Sequence, residues 1–211
     1  MRRILRRIKR VEFERDTVLY RENQTGTLLY VMRSGLVKLV QYLPNGDDRI
    51  VRLLHSGDVA GFEALLGGAY HHMAMALNDA VACVIPTDVV TLLLDLDSGD
   101  HPFRRAMMTC WLDHLDTADR WLCGFSTGPA HARVARLIRY LVEIDQTERS
   151  GEVSLLSRNV MASILGLACE SVCREISRLR SIGALRQVGV RRYACNKALL
   201  DEISKLTHQL S

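Results

Sequence analysis

Glu170 and Arg174 lie four residues apart in the run Cys169-Glu170-Ser171-Val172-Cys173-Arg174, so a helix through this run carries both on one face. An arginine donates two hydrogen bonds to guanine O6 and N7, and a glutamate accepts one from cytosine N4. Each good base contact discriminates by about 1–3 kcal/mol. The same pair on an arbitrary helix is an ordinary intrahelical ion pair facing solvent. What surrounds the pair must decide. Cys173 stands between them on the outward face, with Ser171, Ser177 and Arg178. Arg158, Ser171, Arg178, Arg180, Arg191 and Arg192, with Arg186, suit phosphate oxygens, which fix register and salt dependence.

The elements around the pair are legible as patterns. Ser157 is a helix N-cap, and Ser157 to Leu165 reads as a short helix whose core side is Val160, Ile164 and Leu165. Gly166-Leu167 is a tight turn, and Cys169 to Arg180 is a second helix stopped at Gly183, with Val172, Ile176 and Leu179 inward. Ala184–Gln187 and Arg192–Cys195 then flank Val188-Gly189-Val190 as a hairpin. Two short helices, a glycine turn and a hairpin make a winged helix-turn-helix, whose second helix enters the major groove. An amphipathic helix after Pro129 (Val134, Leu137, Ile138, Leu141, Val142) precedes it, then a polar loop over 146–152. A tail helix with Leu199, Leu200, Ile203, Leu206 and Leu210 follows it.

Upstream, Met108, Trp111, Leu115, Ala118, Leu122 and Phe125 alternate spacings of three and four, a heptad seam on an otherwise polar helix. The seam predicts a two-helix coiled coil with a second copy of the chain; packing onto its own sensor domain is the competing reading. Gly124 and Ser126-Thr127-Gly128-Pro129 end the helix as a hinge. Residues 11 to 95 read as short strands separated by turns at Ser34-Gly35, Pro44-Asn45-Gly46-Asp47 and Ser56-Gly57-Asp58, followed by a short helix over 87–95. The fold class expected is α+β: an N-terminal β jelly roll over 1–100, a dimerisation helix over 101–127, and a winged helix-turn-helix over 128–211.

Charge follows the same division. Residues 126–211 hold 13 Lys/Arg against 8 Asp/Glu, whereas the first 125 hold 15 against 16. A basic C-terminal half fits a polyanionic partner, double-stranded DNA. The basic N-terminal cluster Arg2, Arg3, Arg6, Arg7, Lys9 and Arg10 is not followed by the apolar stretch of a secretory signal, and no apolar run reaches membrane-spanning length. A cytoplasmic protein without a membrane partner is expected. The six scattered cysteines include no C-x-x-C pair and argue against a disulfide framework.

These stretches together resemble the CRP/FNR superfamily, closest to its FNR and FixK side. The resemblance covers about Tyr20 to Leu199 and rests on "YVMRSGLVKL", "LLHSGDVAGFEALLGG", "HH", "ACVIP" and "ILGLACESVCREISRLRSIGAL". The last is the most specific, because E-S-V-C-R matches the family's recognition helix. The resemblance implies a homodimer on a palindrome of TTGA-type half-sites, recruitment of RNA polymerase, and base reading by Glu170, Cys173 and Arg174. On the FixK side a cysteine at this position is linked to redox-controlled binding, which makes Cys173 the redox candidate; a cysteine used simply as a small DNA-contacting residue is the other reading. Cys169, one turn earlier, is a strained candidate for a disulfide with it.

No cofactor is predicted. The family's cyclic-nucleotide members hold the phosphate with an arginine and a serine after a G-E-x-A segment. Here Gly61-Phe62-Glu63-Ala64 occupies that segment, the arginine position falls near Tyr70 or His71, and no Arg or Lys occurs from Leu53 to Phe103. A buried phosphate without a cation is hard to stabilise, so cyclic-nucleotide binding is disfavoured. An FNR-type iron–sulfur cluster is disfavoured too, since Cys83 matches the interior ligand but no cysteine precedes it. His55, His71 and His72 are expected in loops rather than at a metal; they lack the H-x-H spacing of jelly-roll metal enzymes, and haem is left open. The alternative to a regulator is a β-barrel metal- or haem-binding sensor, or a metalloenzyme, with an accessory helical domain. A third reading keeps the DNA role and adds a ligand pocket between barrel and dimer helix.

Overall fold

The computed structural model describes residues 6–44, 46, 48–96, 102–145 and 152–205, with only the backbone of Leu96. Arg2, Arg3, Asn45, Asp47, His101, residues 146–151, Leu206 and Leu210, all used above, lie outside the described residues. The chain divides into two compact units, 1–117 and 118–211.

The first unit is a roll of two four-stranded antiparallel sheets. One has the order β1 (Lys9–Phe13), β8 (Ala80–Pro86), β3 (Leu28–Ser34), β6 (Val59–Ala60). The other has the order β2 (Val18–Tyr20), β7 (Met73–Ala76), β4 (Val37–Tyr42), β5 (Asp48–Leu54). In β4, Leu39 and Val40 are consecutive yet both buried, because the pairing with β5 shifts register between them. Gly35 makes the β3–β4 turn at φ +82°, where an added Cβ would stand 2.5 Å from the Asp79 carbonyl oxygen. Helix α1 (Thr87–Leu96) follows β8, and a 3-10 turn (Phe62–Leu66) lies against it.

Helix α2 (Pro102–Ser126) belongs to both units, and the division falls between Thr117 and Ala118 rather than at either end. Gly124 does not stop it; the helix continues to Ser126. Phe103, Met107 and Cys110 pack on Leu29, Val59 and Val90 of the roll. One turn on, Phe62 meets Trp111 and His114 edge-on, at 5.8 and 5.3 Å. Arg52 Nη1 lies 2.9 Å from His114 Nδ1. A guanidinium only donates, so Nδ1 accepts and the ring proton sits on Nε2, a buried atom without a hydrogen-bond partner among the described residues.

Burial lowers the His114 pKa below 6.5 and Arg52 lowers it further, against the opposing pull of Asp58, Asp113 and Glu63. Burial lowers that of His72 as well. A histidine depressed in the folded state is protonated first in the unfolded chain. Its contribution is complete above 6.5 and declines as pH falls from there towards the folded value. Urea midpoints should therefore drop on acidification from about pH 7.5 to about pH 5, and the drop should be shallower in His114→Gln. An equal drop in that variant would remove His114 from the account.

In the second unit, α3 (Ala130–Ile144), α4 (Arg158–Leu165), α5 (Cys169–Ser181) and α6 (Lys197–Lys205) enclose a core. It contains Leu137, Ile138, Met161, Leu165, Ile176 and Leu179, all nearly fully buried. Arg133 Nε donates to the Phe125 carbonyl (2.7 Å), and Arg136 Nη1 to those of Gly124 (3.1 Å) and Thr127 (2.8 Å). These bonds satisfy carbonyls that the end of α2 leaves open. A three-stranded sheet of order β10 (Leu185–Gln187), β11 (Arg192–Cys195), β9 (Glu152–Ser154) completes the unit. Glu152, expected in a loop, is thus the first residue of a strand.

Candidate DNA interface

Ser157 caps α4 by accepting a hydrogen bond from the Val160 amide at 3.3 Å. Met161, Ala162, Ile164 and Leu165 form its buried face, whereas Val160, expected in the core, is only half-buried. The set 161, 164, 165 follows helical spacing more closely than one through 160. Gly166, at φ +58°, turns the chain into α5. Val172, Ile176 and Leu179 anchor α5 on the core, and it packs against α3, α4 and β10. The opposite face is thereby fixed outward, and Glu170, Cys173, Arg174, Ser177, Arg178 and Arg180 are exposed along it, with Ser171 half-buried.

The intrahelical Glu170–Arg174 ion pair, the competing reading, is not formed. Its Nη2 lies 3.4 Å from Ser171 Oγ and its Nε 4.0 Å from Glu175, so the guanidinium is not paired with Glu170. Glu175 also reaches Arg178 Nη1 at 3.8 Å. Sequence reasoning passed over Glu175, although its spacing of three from Val172 and four from Leu179 places it on the flank of the apolar stripe. Both Glu170 and Arg174 are left able to turn to an external partner.

The remaining cations lie on α4 and on the β10–β11 hairpin. Arg158 is half-buried, with Nη2 3.3 Å from the Tyr193 hydroxyl, so it ties α4 to β11 and is less available to phosphate than expected. Arg186, Arg191 and Arg192 lie exposed on the β10–β11 hairpin, with Arg191 at φ +58° and Arg192 2.9 Å from Glu152. Desolvation, then the neighbouring Cys173 and Glu170, raise the Cys169 thiol pKa, so this sulfur stays protonated.

On α2, Met108, Trp111, Leu112, Leu115 and Leu122 form an apolar face between 45% and 66% exposed, with Ala118 half-buried beside them. Leu112 extends the seam read from sequence. Phe125 leaves it: only 4% exposed, it packs edge-on against Trp121 (5.0 Å) and Tyr140 (5.9 Å) inside its own unit. The physical reason is helical drift, since a strict seven-residue repeat rotates away from one face of a straight helix by about 20° per heptad.

Inside the roll, buried aromatic rings lie near the segment of the cyclic-nucleotide pattern. Tyr70 is buried, stacks on Tyr20 at 3.9 Å, and its hydroxyl donates to the Leu28 carbonyl at 2.8 Å and accepts from the Leu28 amide at 3.2 Å. Burial pushes the Tyr30 hydroxyl up to about 12 and that of Tyr20 well above the usual tyrosine range; it raises Tyr70 too. Glu63 Oε1 accepts from the His71 amide at 2.9 Å. His71 and His72 precede β7 in a bend, and His55 faces Asp58 across a turn (3.6 Å). Cys83 is half-buried in β8, opposite Arg10 and Val31. Among the described residues no three His, Cys, Asp or Glu side chains are grouped to share a metal ion, and no helix is long and apolar enough to cross a membrane.

Comparison with known proteins places both units. Residues 10–97 match the Cyclic nucleotide-binding domain family and residues 135–203 match the Crp-like helix-turn-helix domain family. The Transcriptional regulator LdrP of Thermus thermophilus is 28% identical over 193 residues, covering 90% of this chain and 93% of that protein. The Anaerobic regulatory protein of Aggregatibacter actinomycetemcomitans is also 28% identical, over 90% of this chain and 74% of its own length. The fold is that of FixK2 from Bradyrhizobium japonicum, with a TM-score of 0.83 at 22% identity over 95% of this chain and 99% of that one. A CRP-family transcriptional regulator from Thermus thermophilus, TTHB099, superposes with a TM-score of 0.78 at 24% identity, over 95% of this chain and all of that one. These relatives are regulators of transcription, not enzymes.

Proposed function

The chain belongs to the CRP/FNR superfamily of transcription regulators, and from that premise we propose that it acts as a homodimer reading a palindrome of TTGA-type half-sites. The carrying observation is the outward row Glu170, Cys173 and Arg174 on a helix whose opposite face is locked into the core. Two such helices about one DNA turn, roughly 34 Å, apart meet successive major-groove segments. The exposed apolar face of α2 supports pairing with a second copy. Arg178, Arg180, Arg191 and Arg192 set the register on phosphates, and the bound dimer recruits RNA polymerase in the cytoplasm.

The input is not a cyclic nucleotide. The Tyr20–Tyr70 stack lies inside the roll, the sequence has no arginine or lysine from Leu53 to Phe103, and the Glu63 carboxylate is already engaged. Nor is it an FNR-type cluster, which a single matching cysteine cannot hold. The candidate input is oxidation of Cys173, exposed beside Arg174. Its sulfur attacks one oxygen of hydrogen peroxide and the O–O bond breaks, giving a sulfenic acid and water; the added oxygen brings bulk and polarity where the DNA lies.

Fluorescence anisotropy with a duplex of inverted TTGA half-sites tests this reading. About eight arginine–phosphate contacts per dimer give a slope of about −7 in log affinity against log salt. Cyclic AMP should leave affinity and melting temperature unchanged. Peroxide should weaken the wild type and spare Cys173→Ser. Equal peroxide sensitivity in that variant removes Cys173 as the switch, and failure to prefer the palindrome over a scrambled duplex removes the reading itself.

A further inference from the structure

We propose that Glu175 is a positioning residue that sharpens sequence discrimination by holding Arg174 and Arg178 in place, an inference resting on the DNA-reading role of α5. The residue is 9% exposed, although it sits on the recognition helix itself. Its Oε1 lies 4.0 Å from Arg174 Nε, its Oε2 3.8 Å from Arg178 Nη1, and Oε2 is buried without a hydrogen-bond partner. Burying a carboxylate is costly unless a cation compensates it, and a leucine here would extend the apolar stripe of Val172, Ile176 and Leu179 at no such cost. Among the described residues, the compensating cations are the two arginines that project towards the DNA.

The contact restrains both side chains near their guanidinium groups, while 71% of the Arg174 side chain and 58% of the Arg178 side chain stay open to solvent. Arg174 has Glu175 4.0 Å from its Nε, an electrostatic approach without a hydrogen bond, and Ser171 Oγ 3.4 Å from its Nη2, and a fork biased before binding loses less freedom on meeting a base edge. The negative charge behind the arginines also opposes phosphate attraction, which drives binding to any sequence. Glu175 therefore trades affinity for arbitrary DNA against discrimination at the site. A purely structural carboxylate would affect both binding modes alike.

Glu175→Gln keeps the shape and removes the charge. Affinity for a scrambled duplex should stay the same or rise. The ratio of affinities for the inverted TTGA duplex and the scrambled one should fall about tenfold, with the melting temperature near that of the wild type. In an Arg174→Ala background the same change should leave that ratio almost untouched, because Glu175 acts through Arg174. A wild type that does not discriminate would overturn the DNA-reading role and this inference with it. A wild type that discriminates, beside a Glu175→Gln protein with an unchanged ratio, would overturn the inference alone. So would an equal loss in the Arg174→Ala background. Should Glu175→Gln not fold, Glu175→Leu removes the charge together with the unpartnered oxygen and carries the same comparison.

Discussion

Arg174→Ala is expected to erase most of the preference for the TTGA palindrome while leaving the fold and binding to arbitrary DNA nearly intact. Arg174 is exposed, so its removal opens no cavity in the core. Among the described residues it approaches Ser171 and Glu175, at 3.4 and 4.0 Å, and the intact guanidinium can exchange these contacts for guanine O6 and N7. The G·C pair of a TTGA half-site offers that guanine, with a cytosine N4 opposite for Glu170. One bidentate contact discriminates by about 1–3 kcal/mol, so two half-sites lose about 2–6 kcal/mol, or about 30-fold to 10⁴-fold in the specificity ratio. Arg191→Ala is the control, because a hairpin arginine on a phosphate carries no sequence information. It should weaken the palindrome and the scrambled duplex by the same factor and reduce the salt slope by about 1 per subunit. Titrations of both duplexes across a salt series separate the two effects. An Arg174→Ala protein with unchanged affinity and preference would show that α5 reads bases through other side chains.

The recognition unit was legible because every feature of it is local. A serine cap, a glycine at φ +58° and apolar residues at 172, 176 and 179 fix α4 and α5 from neighbours within one or two turns. Glu175 escaped because its burial depends on arginines that fold back towards it, a choice of rotamer rather than of spacing. The roll was legible as a class and incomplete in its strands. Met73–Ala76 has weak β propensity and becomes strand β7 only through pairing with β2 and β4. Strand β9 likewise exists because β11 offers it an edge. Phe125 was misplaced by extending a heptad past the point where the helix had rotated that position into its own core. The Tyr20–Tyr70 stack was not legible, because it joins residues far apart in the chain.

Leu115→Arg is the substitution expected to separate folding from function most completely. Leu115 is 63% exposed and lies at the middle of the apolar face between Met108 and Leu122, so a charged side chain there reaches water in the single chain and leaves both cores intact. A contiguous apolar face of this kind on a helix needs a partner, and a twofold pair sets each residue of the stripe against its counterpart. Two arginines brought together at the centre would be desolvated at short range, with only the exposed Asp119 one turn on to answer each, a loss the remaining apolar contacts do not offset. Sedimentation should give a dimer for the wild type and a monomer for the variant at micromolar concentration, with the melting temperature now independent of protein concentration. A monomer keeps its recognition helix but binds the second half-site as a separate event. Affinity for the palindrome should then fall by about 10²–10⁴, while affinity for a single half-site is unchanged. A variant that remains dimeric would place the subunit contact elsewhere on the chain; a monomeric wild type that still prefers the palindrome would sever dimerisation from recognition.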